Sequence, residues 1–181
     1  IFSYGEMSHP HLREDVIQKM REKEAKNADK VVGGNGVEFI GFKEGTFRKK
    51  TKKAEEILMQ KFKTIKPSRI FTHSVDDPMP DHRHVNHIVL SAFDNVMHDL
   101  AKQKKPFRSS VYTFNVWNLF KLRNRTKAKL YVDITDTFQK KVKAMHCFKS
   151  QVGVFTHTAL VNFVYLGVYV KAVFHGFRSG Y

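Results

Sequence analysis

A chain of 181 residues that is 41% hydrophobic and 27% charged can bury a core without staples and is too apolar for wholesale disorder. Its one cysteine, Cys147, excludes an intrachain disulfide and suits a reducing, cytoplasmic setting. The formal charge of +15 favours an anionic partner, yet the lysines are scattered through "KKTKK" (49–53), "KQKK" (102–105) and "QKKVKA" (139–144). They make no arm, zinc finger or aromatic RNA-binding motif, so a solvated basic surface is the simpler reading and nucleic acid is disfavoured.

In chain order, "IFSY" (1–4) reads as the end of a strand. Residues 13–32 place Val16, Ile17, Met20, Ala28 and Val31 at helical spacing, and "GGNG" stops that helix. "VEFIGF" (37–42) reads as a strand. Residues 52–65 form a second helix, with Ala54, Ile57, Leu58, Phe62 and Ile65 on one side and Pro67 beyond its end. "RIFTHS" (69–74) reads as a strand and is followed by a long helix to about Gln103. "SVYTFNVW" (110–117) and "AKLYVDI" (128–134) read as strands. Asp136 is positioned to cap a helix through Gln151, with Phe138, Val142, Met145 and Phe148 inward. This alternation predicts an α/β fold, a Rossmann-like, mainly parallel sheet flanked by helices, with ligands bound beyond the carboxyl ends of the strands. Residues 152–170 carry no formal charge. His157, Asn162, two threonines and two glycines argue for a buried helix or helix–strand pair rather than a membrane span, with contact at a membrane surface as the alternative.

The densest chemistry lies in "VDDPMPDHRHVNHIV" (75–89). The helix after Pro80 has its apolar stripe at Val85, Ile88, Val89, Ala92, Phe93, Val96, Met97 and Leu100. His82 continues that stripe into the first turn, whereas His84, His87, Asp94 and His98 fall off it. His84 and His87 as an i, i+3 metal pair therefore rank below His82. Carboxylates near a helix N-terminus are stabilised, so Asp77 and Asp81 can cap N–H groups or orient a histidine ring. By spacing alone this is a capping cluster with one partly buried histidine, and one histidine is not a metal site.

"DPMPDHRHV" (77–85) resembles the D-x-H-P-D-H segment of the LmbE/PIG-L family of zinc-dependent N-deacetylases. The resemblance runs in order along the chain. "YGEMS" (4–8) is similar to the family's T-D-G-E-x-S turn, "REKEAKNADKVVG" (21–33) to its R-x-x-E-x-x-x-A helix, and "VEFIGFKEG" (37–45) to the strand ending in L-G-x-x-D-G. "PSRIFTHSVDD" (67–77) is similar to the strand leading into the metal motif, "VDITDTFQKKVKAMHCFKSQ" (132–151) to the late D-I…S-Q helix, and "FHGFRSGY" (174–181) to the approach to a Tyr-Ala-Glu motif.

The resemblance implies one deacetylase domain over 1–181, expected to be truncated at both ends. The family's A-H-P-D-D-x-E segment, which carries its other metal ligands and its base, matches nothing before Tyr4. It makes His82 a zinc ligand and Asp81 the proton-handling, catalytic neighbour. It makes Asp77 a pocket-lining group and Arg21 and Glu44 sugar-binding groups, and leaves His73 or a group from the early segment to substitute for the family histidine that Met79 replaces here. A thioether can neither donate a proton nor hold an oxyanion. The implied reaction is hydrolysis of an N-acetyl amide on a sugar or glycoconjugate, in a chain that contributes to an enzyme only if the early segment is present. Arg21 and Glu24 also read as a plain helix-surface ion pair, and Glu44 as a turn-shaping acid. The competing functions are a metal-free basic paralogue that binds nucleic acid or anionic glycan, and a headgroup deacetylase at a membrane surface. A second copy of the chain stays open as a partner.

Overall fold

The computed structural model describes residues 1–8, 11–105, 107–114, 130–151 and 160–179. Five α-helices are described: α1 (Glu14–Val32), α2 (Thr51–Ile65), α3 (Pro80–Lys102), α4 (Phe138–Met145) and α5 (Leu160–Ser179). Two strands, β1 (Arg69–His73) and β2 (Ser110–Phe114), pair in parallel with Arg69 opposite Ser110 and His73 opposite Phe114. The described residues fall into two compact units. One holds Ile1, Ser3–Glu44 and Lys121–Tyr181, and the other holds Phe2 and Gly45–Phe120.

The second unit is a βαβ arrangement with α2 laid against α3. Pro80 starts α3 at a position whose missing N–H would have had no helical partner anyway. From there the apolar stripe runs as its spacing predicts: Ile88, Val89, Ala92, Val96 and Leu100 are buried, with Val85, Phe93 and Met97 half-buried. Val89, Ala92, Val96 and Leu100 pack with Phe62 of α2 and Ile70 of β1 into one core, with Val85, Phe93, Leu58, Phe107 and Val111 at its margin. Alternation along β1 sends Ile70 and Thr72 inward and Arg69 and Phe71 outward. Lys63 reaches Asp99 at 2.8 Å, and Ser91 donates to Glu55, so α2 and α3 are also joined by polar contacts. Lys66 closes α2 in the left-handed conformation at φ 49, and Pro67 forbids a further turn.

In the first unit α1 ends as its glycines predict. Gly33 takes the left-handed cap position at φ 81 and Gly34 N–H donates to the Asp29 carbonyl. The inner face of α1 is more polar than its apolar spacing suggested. Arg21 and Glu24 are buried beside Ile17 and Ala25, whereas Val16 is exposed. Burying a carboxylate requires partners. Glu24 finds them in Ser150, whose backbone N–H and hydroxyl donate to its two oxygens at 2.6 and 2.5 Å. The surface ion pair expected at 21 and 24 is thus a buried tether between α1 and the turn at 149–151. Ser150→Ala, which removes one of the two donors, is expected to lower stability by about 1–3 kcal/mol in urea unfolding.

Several expected elements differ. Residues 37–42 and 130–134 are not strands, and neither is 1–4. Ile1 does exchange two backbone hydrogen bonds around Phe39, donating to Glu38 and accepting from Ile40, in the pattern of a single parallel bridge. The helix expected to reach Gln151 stops at Met145 and gives way to a turn and a short 3₁₀ segment at 149–151. Its inward residues Phe138, Val142, Met145 and Phe148 are half-buried. Asp136 makes no capping bond; Asp133 instead accepts from the Thr135 N–H and hydroxyl. The reason is local, because an Asx turn two residues earlier offers the chain the same carboxylate bonding. Residues 115–117, 128–129 and 152–159 of the expected elements lie outside the described residues. From 160 the apolar segment is helix, and its described face is exposed rather than buried.

Candidate metal centre

The carboxyl end of β1 and the first turn of α3 meet at one loop, residues 74–79. Ser74 N–H extends the β1–β2 ladder by donating to Phe114 O at 3.0 Å. Asp77 N–H turns back to Ser74 O at 3.1 Å, and Met79 N–H donates to Asp77 Oδ1 at 2.9 Å. Two side chains of α3 hold this loop from outside. Arg83 Nη1 donates to the carbonyls of Asp77 and Pro78 at 2.7 and 2.9 Å. Asn86, 3% exposed, donates to the carbonyl of His73 at 2.7 Å.

This framework brings His73, Asp77 and His82 together, with one candidate ligand atom from each lying within 4.8 Å of the others. Asp77 is 1% exposed. Its Oδ1 lies 2.9 Å from His82 Nδ1, so that nitrogen carries the proton and Nε2 keeps its lone pair. Burial pushes the Asp77 carboxyl up, but the Met79 N–H, the His82 contact and the nearby imidazoles outweigh it and hold the group below 3.8. Burial and the neighbouring His82 push His73 below 6.5 against the pull of Asp77. The neutral imidazole that results is the metal-binding form.

The residues fit zinc. Nitrogen and carboxylate donors are its ordinary ligands. Asp77 Oδ2 and His73 Nδ1 are both buried with no hydrogen-bond partner, a condition buried polar atoms rarely tolerate. The rings of His73 and His82 stack with centroids 3.9 Å apart and planes 10° apart. Imidazole lone pairs lie in the ring plane, so this stack points the two sets side by side. A cation shared by both rings requires one of them to turn.

The other expected residues occupy varied settings. Asp81 lies beside His82 on α3, half-buried, with Oδ1 3.4 Å from Arg48 Nε. Met79 is the residue before α3 and is 47% exposed. His84 does not face solvent as its spacing predicted; its Nε2 lies 2.9 Å from Thr51 Oγ1, while His87 is exposed. In the first unit, Arg21 is buried, and burial lowers its pKa against the opposing pull of Glu24 and Glu44. Glu44 takes the turn-shaping role: its Oε2 accepts from Met7 N–H at 2.9 Å, while Glu6 Oε1 accepts from Glu44 N–H at 2.9 Å.

Sequence reasoning missed Arg83 and Asn86 as positioning residues. Asn86 left a signal: a polar side chain four residues after His82, inside the apolar stripe. Asn86→Ala strips the His73 carbonyl of a buried donor. It is expected to cost about 1–3 kcal/mol by urea unfolding and to loosen metal binding measured by dialysis.

Comparison with known proteins bears on the fold and the family. No curated protein matches the sequence significantly. Among solved structures, the 4-carboxy-2-hydroxymuconate hydratase GalB of Pseudomonas putida is similar at TM-score 0.77 and 20% identity, covering 98% of this chain and 72% of its own. A conserved protein of Thermus thermophilus is similar at TM-score 0.66 and 20% identity, covering 99% of this chain and 73% of its own. The N,N'-diacetylchitobiose deacetylase of Pyrococcus horikoshii is similar at TM-score 0.64 and 18% identity, covering 99% and 67%. These likenesses establish the LmbE-type, Rossmann-like α/β fold. The family PIG-L, GlcNAc-PI de-N-acetylase, matches residues 1–93, a span that contains His73, Asp77 and His82. With more than half of its length matched, the chain belongs to the PIG-L (LmbE-like) family.

Proposed function

We propose that this chain takes part in zinc-dependent hydrolysis of an N-acetyl amide on an N-acetylglucosamine-type sugar or glycoconjugate. The observation that carries the reading is that the family match spans a His–Asp–His cluster, half-buried around a buried Asp77, with two unpartnered ligand atoms. When bound, zinc acidifies water and polarises a carbonyl.

The chain's own residues divide the remaining work. His82 presents Nε2 to the metal, and Asp77 fixes the ring by holding Nδ1–H at 2.9 Å. Asp77 Oδ2 and His73 would supply the additional donors, their ligand atoms lying within 4.8 Å of that of His82. Asp81 is the carboxylate proposed to take the proton of the attacking water; its Oδ1 lies 3.4 Å from Arg48 Nε. Arg83 and Asn86 keep the loop carbonyls in place, so the cluster is assembled before substrate arrives. Arg21 and Glu44 are sugar-binding candidates on the family resemblance alone, and the lone cysteine suits a cytoplasmic setting.

The alternative is a metal-free basic paralogue that binds an anionic glycan or nucleic acid without catalysis. The stacked imidazoles favour it, because rings packed face to face do not aim their in-plane lone pairs at one shared cation. Equilibrium dialysis against zinc, together with acetate release from N-acetylglucosamine substrates by the full-length protein, separates the two. One bound zinc and zinc-dependent acetate release are expected. A protein that binds no zinc and shows a steep salt dependence for polyanions is the paralogue instead.

A further inference from the structure

We propose that Phe71, Tyr112 and Phe114 form an aromatic platform beside the metal centre that seats the ring joined to the acetylated sugar. The alternation that sends Ile70 and Thr72 into the core sends Phe71 and His73 to the opposite face of β1. Parallel register sets Tyr112 against Phe71 and Phe114 against His73. Phe71 and Tyr112 stack with centroids 5.3 Å apart, and Phe114 stands tilted at 5.0 Å from His73. His73 in turn stacks on His82. Two rungs of rings thus lead from the metal centre along the outer face of the sheet. Phe71 is 62% and Phe114 43% exposed, and Tyr112 is half-buried.

Size and position select the occupant. Two strands about 4.8 Å apart, each of five residues rising ~3.3 Å apiece, outline a strip on the order of 100–200 Å². A stable protein interface needs about 800 Å² from each partner, so the strip suits a small ligand better than a second copy of this chain. Because His73 belongs both to this face and to the metal cluster, the ligand that lies here is the substrate itself. A sugar ring has an apolar C–H face and hydroxyls around its rim. The face can lie on Phe71 and Tyr112 while the rim stays in water or bonds to the exposed Arg69 and Ser110, which register with each other at the far end. An alkyl chain on so open a strip would remain largely in water. With the hydrolase reading naming the acetylated sugar, on which this placement rests, Phe114 meets that sugar and the Phe71–Tyr112 pair takes the next ring.

The test compares N-acetylglucosamine with a β-linked N-acetylglucosamine disaccharide on the full-length protein, by calorimetric titration and by acetate release. Phe71→Thr, which keeps strand propensity, is expected to weaken the disaccharide about tenfold more than the monosaccharide, in Kd and in KM. Phe71→Tyr, which keeps the ring, is expected to hold the wild-type preference. Far-UV circular dichroism verifies that Phe71→Thr folds; if it does not, Phe71→Val serves for the same comparison. Equal weakening of both sugars, no weakening of either, or a wild type that binds the disaccharide no better than the monosaccharide would overturn the platform. So would a dimer in analytical ultracentrifugation that Phe71→Thr dissociates, which would assign the face to a second copy. A disaccharide preference that Phe71→Thr removes in titration, with no acetate released from either sugar, would keep the platform and overturn the hydrolase reading alone.

Discussion

His82→Ala is expected to abolish stoichiometric zinc binding and to reduce acetate release by about 10³-fold or more in the full-length protein. The size follows from where the ring sits. His82 stands in the first turn of α3, stacked on His73 and bonded through Nδ1 to a fully buried carboxylate, with no neighbouring residue of α3 able to reach the same point. His84 is engaged by Thr51 and His87 is exposed, so neither replaces it. Truncation of His82, 27% exposed, also takes one donor from the buried Asp77, a cost of about 1–3 kcal/mol that is smaller than the expected loss of activity. Zinc that stays tightly bound in His82→Ala, measured by dialysis and metal analysis, would remove His82 from the metal centre.

Asp77→Asn is expected to lower zinc affinity about 10–100-fold and to reduce stability by about 1–3 kcal/mol. The carboxylate accepts from Met79 N–H and from His82 Nδ1 at the same oxygen, both at 2.9 Å. An amide can meet those two donors with its oxygen only by turning its own N–H₂ into the space of the unpartnered Oδ2, where a cation would sit. The pH dependence of the metal-free protein separates this carboxylate from its neighbour. The carboxyl of Asp77 is held below 3.8, so its contribution is complete above that value and is lost as pH falls through the depressed folded pKa. His73 is held below 6.5, so protonation favours the unfolded chain as pH falls from 6.5. Wild type should therefore lose stability in two stages, one starting near pH 6.5 and one below about pH 4. Asp77→Asn should keep the first stage and shrink the second, to which Asp99, held low by Lys63, and Asp133, held low by Thr135, still contribute. Identical urea-unfolding profiles for the two proteins across pH 3–7 would contradict the assignment.

Much of the fold was legible because helices announce themselves over many residues. The stripe from Val85 to Leu100, the glycine stop at 33 and the break at Pro67 each combine local propensity with a repeating spacing, and the structure follows all three. Strands were read less well. "VEFIGF" and "LYVDI" have strand composition, but a strand exists only if a partner supplies its ladder; among the described residues the first run meets Ile1 in a single bridge and neither forms a strand. The long late helix failed for a similar reason: its apolar spacing continues past Met145, while the buried bond from Ser150 to Glu24 demands a turn there.

At the site, the amino-acid sequence by itself determined the chemistry available: histidines and carboxylates at the mouth of a helix, with His82 on the stripe that faces inward. It could also place the chain in the PIG-L (LmbE-like) family, since ordered motifs survive even where overall identity does not. Only the tertiary structure decided that His73 and Asp77 join His82 in one cluster and that Arg83 and Asn86 hold it. It likewise decided that Arg21 and Glu24 are buried. Spacing along a helix fixes which neighbours three or four residues apart share a face, but nothing in it reports what the end of β1 will lie against. That is set by strand pairing and packing between elements distant in sequence.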